Sequence, residues 1–138
     1  MLFRSGLFGT IEYRLAGRRM AASNTTPESL DLQAMLADSL DAGGSHAVME
    51  VSSHALALER VYATRFGVGV FTNLTRDHLD FHGDMDEYFA AKKRLFDGSL
   101  GHALDWAVLN ADCSRSRGLA ACGARNVLWY GLDRKSVV

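Results

Sequence analysis

The chain has 138 residues, which suits one domain, and is 48% hydrophobic, enough to bury a core. Its 15 Lys and Arg against 16 Asp and Glu leave a net charge of −1 with both signs interspersed, so nothing suggests a nucleic-acid or membrane surface. No apolar run approaches the roughly 18 residues that span a bilayer, and the opening "MLFRSGLFGT" lacks the apolar stretch of a signal peptide. Cys113 and Cys122 form neither a disulfide framework nor a CxxC knuckle, and reduced thiols in a cytoplasmic protein are the expectation.

In chain order, "GLFGTIEYRLAGRRMAASNTT" reads as two strands around a hairpin turn at Ala16-Gly17. Thr26-Pro27-Glu28 then predicts a helix start, with Thr26 as N-cap and Pro27 in the first helical position. Leu30, Met35, Leu36 and Leu40 supply that helix with an apolar stripe, and Gly43-Gly44 stops it. "HAVMEV" is a short apolar run typical of a buried strand, and "SSHALALERV" a short helix. "GVGVFTNL" is a second such strand, residues 84–97 a helix closed by Gly98, "DWAVLN" a third strand, "DCSRSRGLAACG" a helix and "NVLWYG" a fourth strand. Strands alternating with helices predict an α/β fold with a mainly parallel sheet flanked by helices. Apolar rather than alternating strands are expected when both faces are covered. The chain opens almost inside a strand and closes on "GLDRKSVV" without a terminal element, as expected of a piece of something longer.

In a parallel sheet, ligands bind at the carboxyl ends of the strands. Two polar clusters fall there: Glu50 with Ser52, Ser53 and His54, and Thr72-Asn73 with Arg76, Asp77 and His78. Glu50 has no evident partner, and an unpaired buried charge is costly. It is either a partly exposed strand end or a ligand for a cation. On the helix from Asp84, at about 100° per residue, Lys92 lies inside the stripe of Met85, Tyr88, Phe89, Leu95 and Phe96. It either snorkels to solvent or points into the site. In the second case burial favours the neutral amine, which can take up carbon dioxide as a carbamate able to bind a hard metal ion. His78 and His82 are four apart without the HExxH pattern, a weak signal for a zinc hydrolase. Thr25, Thr26 and Arg60 also have plain structural roles open to them, as capping residues and a solvated helix end.

"NTTPESLDLQ", "MEVSSHALALERV" and "FTNLTRDHLDFHGDMDEYFAAKKRLF" closely resemble the central domain of the Mur ligases, in the MurE-type pattern, from about Gly6 to Tyr130. The resemblance implies that residues 1–138 are part of that domain, in a cytoplasmic, monomeric enzyme of peptidoglycan biosynthesis, cell shape and cell division. Such an enzyme joins an amino acid, diaminopimelate or lysine, to UDP-MurNAc-L-Ala-D-Glu. It uses ATP and Mg²⁺, by way of an acyl phosphate. By motif, Glu50, His78 and a carbamylated Lys92 would hold Mg²⁺, with His78 and Lys92 also serving catalysis. Asn24, Thr25, Thr26, Ser52 and Arg60 would contact the UDP-muramoyl-dipeptide, and Asn73 the nucleotide.

Leu58 departs from the glutamine usual at its place, and no GxxxxGK[ST] phosphate-binding loop occurs in the chain. The resemblance therefore implies that the P-loop strand and the flanking N- and C-terminal domains lie outside these residues. The isolated chain is expected to be poorly stable and inactive in ligation. A non-catalytic remnant, or another Mur ligase or folylpolyglutamate-synthetase relative, is the alternative.

Overall fold

The structure, a computed structural model, describes residues 5–75 and 79–132. The chain divides into two compact units, Met1–Val61 and Tyr62–Val138, both α/β. Among the described residues no helix is long and apolar enough to cross a membrane.

In the first unit, strands β1 (Ser5–Phe8), β2 (Glu12–Leu15), β3 (Arg18–Ala21) and β4 (His46–Met49) form one sheet in the order β3-β2-β1-β4. β1 pairs antiparallel with β2 and parallel with β4, with Phe8 opposite Met49. The stretch expected to form two strands forms three, because the chain also reverses between Phe8 and Glu12, where Gly9 N–H donates to Glu12 O. The hairpin turn is at Ala16-Gly17 as expected, both residues having positive φ (51° and 79°), as a type I′ turn requires.

Helix α1 spans Ser29–Asp41 and begins later than expected, with Glu28 in the cap position. Thr26 does not cap it, since its hydroxyl is used elsewhere. The expected stripe is also corrected. Leu30 and Leu40 are exposed, while Leu32 and Ser39 are buried and Met35 and Leu36 half-buried. These four positions recur at i, i+3, i+4 and i+7, a single helical face. Helix α2 (Ser53–Ala57) follows β4.

In the second unit, β5 (Val68–Phe71), β6 (Trp106–Asn110) and β7 (Asn126–Tyr130) form a fully parallel sheet in that order. Phe71, Phe96, Leu104, Ala107, Leu109 and Leu119 make its core. Helices α3 (Leu79–His82) and α4 (Met85–Lys93) connect β5 to β6. Asp84 caps α4 by accepting from the N–H groups of Asp86 and Glu87. α4 ends at Lys93, four residues before the expected end, and the chain continues in turns to Gly98. The segment after β6 is a 3₁₀ turn (Ser114–Ser116) followed by α5 (Arg117–Ala120). Cys113 and Cys122 are free thiols.

Burial on both strand faces is not observed. β1 and β5 alternate exposed and buried residues, and Val48, Val68 and Val70 are exposed. The apolar runs reflect β-branched preference for extended backbone as well as burial.

Gly69 on β5 is the tightest backbone approach in the second unit. A Cβ there would sit 2.5 Å from Leu104 Cδ1 and 3.2 Å from Phe96 Cε1. Both neighbours are nearly fully buried in the core and have little room to yield. Gly69→Ala is expected to destabilise the unit by about 1–3 kcal/mol. The shift of the urea midpoint at unchanged slope measures it, and an unshifted midpoint would show that the core repacks freely.

Candidate functional site

The parallel register of β1 and β4 carries their carboxyl ends to the same place. Glu50 N–H donates to Phe8 O at 2.9 Å, extending the ladder one step past each strand. Glu50 therefore leaves the sheet beside the Gly9-Thr10 turn. Its Oε2 accepts from Thr10 Oγ1 at 2.8 Å and from Thr10 N–H at 3.3 Å. Thr10 Oγ1 lies 3.1 Å from Thr25 Oγ1. Glu50 is exposed, and its side-chain partners among the described residues are a hydroxyl and an amide.

Thr26 ties the loop before α1 to the loop after β4. Its side chain is fully buried, donates to Glu50 O at 2.9 Å and accepts from Ser52 N–H at 3.0 Å. A buried hydroxyl satisfied in both directions is a fixed joint. Ser52 caps α2, its Oγ accepting from Ala55 N–H at 3.1 Å. Arg60 Nη1 donates to Thr26 O at 3.3 Å, and Nη2 pairs with Glu28 at 2.8 Å. Arg60 Nε is buried with no acceptor among the described residues. Asn24 O accepts from the buried Tyr13 hydroxyl, which anchors the start of the same loop.

Six sequence-predicted residues thus meet in the first unit: Asn24, Thr25, Thr26, Glu50, Ser52 and Arg60. Thr10 and Tyr13 were not singled out from sequence. Thr10 lies just past the end of β1, where the parallel partner β4 delivers Glu50, a placement that strand pairing sets and a local stretch of sequence does not show.

Lys92 and Asn73 belong to the second unit. Lys92 is half-buried on α4, with Nζ 5.1 Å from the centre of the Tyr88 ring. His82, 5% exposed, stacks on the other partner of this pair: its ring centre lies 5.3 Å from that of Tyr88 at 25°. His82 is thus buried against the Tyr88 ring in this fold. Asn73 is exposed just beyond β5. Asn110 Nδ2 donates to Thr72 O at 2.7 Å, and the Tyr130 hydroxyl to Phe71 O at 3.2 Å. Side chains from β6 and β7 therefore fasten the end of β5 and the segment after it that carries Asn73. Arg76, Asp77 and His78 lie outside the described residues.

Among the described residues no three His, Cys, Asp or Glu side chains could hold a metal ion by themselves. Glu50 fits as one ligand of a hard cation, because its Oε1 has no hydrogen-bond partner among those residues while Oε2 is held.

Hydroxyls, a carboxylate and an arginine thus gather at one strand end of an α/β unit, and similarity to known proteins gives the class. Residues 1–137 match the Mur ligase middle domain, and the chain belongs to that family of ligases. A ligase of Solibacter usitatus (strain Ellin6076) is 59% identical over 128 residues, 93% of this chain and 26% of the relative. One of Geobacter metallireducens is 48% identical over 137 residues, 96% of this chain and 27% of the relative. Both are named UDP-N-acetylmuramoyl-L-alanyl-D-glutamate–2,6-diaminopimelate ligase. A solved structure of a ligase of that name superposes with a TM-score of 0.78 at 29% identity, over 97% of this chain and 27% of the other. The chain spans about a quarter of the length of the curated relatives it matches.

Thr26→Val removes a donor and an acceptor while keeping the shape, and leaves Ser52 N–H and Glu50 O without a partner. A loss of about 1–3 kcal/mol is expected, with Thr26→Ser retaining most of the stability. Urea denaturation of both variants checks this; equal stability of Val and Ser would deny Thr26 its joining role.

Proposed function

We propose that the chain supplies the substrate- and metal-facing part of an ATP-dependent ligase that adds 2,6-diaminopimelate to UDP-N-acetylmuramoyl-L-alanyl-D-glutamate in peptidoglycan synthesis. The observation that carries this reading is the meeting of Thr25, Thr26, Glu50, Ser52 and Arg60 at one strand end. The names of the relatives favour diaminopimelate over lysine as the added amino acid.

Asn24, Thr25, Ser52 and Arg60 would bind and orient the muramoyl-dipeptide. Arg60 has a buried Nε–H without an acceptor among the described residues, and Ser52 keeps a hydroxyl proton beyond its capping bond. Thr26 is fully buried, so its part is to hold the loop that presents Asn24 and Thr25. Glu50, His78 and Lys92 as its carbamate would hold Mg²⁺, which when bound neutralises charge on the phosphates and on the substrate carboxylate. Asn73 would face the nucleotide. The carboxylate of D-Glu takes the γ-phosphoryl group as an acyl phosphate, and the amine of diaminopimelate displaces phosphate. Reaction by these residues requires phosphate contacts of the P-loop kind, and the sequence contains no such motif. The 138 residues alone are therefore expected to give no ligation, and the reading places the enzyme in the cytoplasm, where ATP and the nucleotide-linked substrate are made.

The test is a chimera in which this chain replaces the segment it matches in the Solibacter usitatus ligase. Lys92→Ala is expected to lower ligation by about 10²-fold or more, and short-chain carboxylic acids to restore part of it. A carbamate carbon should appear in the ¹³C NMR spectrum of the unsubstituted chimera fed ¹³C-bicarbonate. Full activity of the variant would remove the role given to Lys92, and a chimera that folds without ligating would remove this function.

A further inference from the structure

On the reading above, in which Glu50 is a magnesium ligand, we propose that Thr10 is a positioning residue that holds one oxygen of the Glu50 carboxylate so that the other is presented to the cation. Two donors of Thr10, Oγ1 at 2.8 Å and the backbone N–H at 3.3 Å, converge on the same oxygen, Oε2. Glu has several rotatable bonds, and a carboxylate free to turn would lose conformational entropy on binding a metal. Clamping Oε2 removes that loss in advance and leaves Oε1, which has no partner among the described residues. The clamp is built by the sheet. Thr10 and Glu50 are 40 residues apart and each lies just past its strand, with Phe8 and Met49 paired in register.

The hydroxyl chain has a direction. A carboxylate only accepts, and Thr10 has one hydroxyl proton, which goes to Oε2. Thr10 Oγ1 is therefore the acceptor in the 3.1 Å contact with Thr25, and Thr25 donates. With its proton so directed, Thr25 Oγ1 offers a substrate only lone pairs. The substrate group that meets it is an N–H or O–H donor rather than a phosphate or carboxylate oxygen.

Thr10→Val keeps the shape and removes the hydroxyl, whereas Thr10→Ser keeps the hydroxyl. In the chimera, Mn²⁺ binding read by EPR and the Mg²⁺ dependence of ligation are compared for these two variants and for Glu50→Gln. Thr10→Val is expected to weaken Mn²⁺ binding and to raise the Mg²⁺ half-saturation by about 10-fold, the range for residues that orient a metal ligand. Thr10→Ser should stay close to the unsubstituted chimera, and Glu50→Gln should lose more than Thr10→Val. If Thr10→Val does not fold, Thr10→Ala against Thr10→Ser gives the same comparison. Unchanged Mn²⁺ binding in Thr10→Val together with a loss in Glu50→Gln overturns the role of Thr10 and leaves the functional reading standing. Unchanged binding in Glu50→Gln overturns both.

Discussion

The register of β1 against β4 is the constraint on which the first unit depends. Phe8 faces Met49, and this pairing fixes both what is buried and what meets beyond the strand ends. Because side chains alternate along a strand, a slip of one residue would turn Phe8, fully buried, toward the opposite face. It would also carry Thr10 out of step with Glu50. The register is secured from the other side of β1, where the Phe8 and Tyr13 rings pack 5.6 Å apart across the antiparallel pair with β2. Gly6 belongs to the same arrangement, since a Cβ there would meet Leu15 Cδ2 at 2.8 Å. Apolar packing within the sheet thus sets the geometry of polar groups outside it.

The loops that leave those strands carry polar backbone that water or side chains must satisfy. In the first unit the Thr26 hydroxyl does this for two segments at once, and Tyr13 does it for Asn24. In the second unit Asn110 and Tyr130 perform the equivalent service for the end of β5. Each case uses a side chain from a rigid strand or a buried position to fix a loop carbonyl. Candidate binding residues can then sit on loops without the loops being loose. The cost of losing one such side chain exceeds that of one hydrogen bond, because a second polar group is stranded with it.

Much of this was legible in the sequence, and the losses have physical causes. The alternation of strands and helices, the hairpin at Ala16-Gly17 and the strand ends bearing Glu50 and Asn73 follow from local patterns. The α1 stripe differs from the expected one because residue type alone does not set the buried face: Leu32 is fully buried. Leu30 and Leu40 are exposed, and a serine, Ser39, completes the buried face. Thr26 looked like a cap because Thr before Pro fits that role locally, and its real partners are 24 and 26 residues away. Thr10 was missed for the same reason: its contacts are products of strand pairing, which no window of sequence contains. Long motifs identified the family where single residues left two or three roles open.

Lys92 shows how far geometry and residue type can pull apart. Its stripe position was legible, and the side chain does lie with Tyr88 on α4. A ring face attracts a cation, so the arrangement with Nζ 5.1 Å from the Tyr88 centre is that of an ammonium group. A carbamate carries the opposite charge, and the same ring face disfavours it. The proposed chemistry therefore entails that carbamylation and departure from the Tyr88 face go together. The free energy for this must come from what the carbamate gains, a hard cation and its oxygen ligands, since the ring contact at a half-buried site is worth only about 1 kcal/mol. On that proposal, metal binding and carbamylation of Lys92 would be coupled, each making the other more favourable by the same factor.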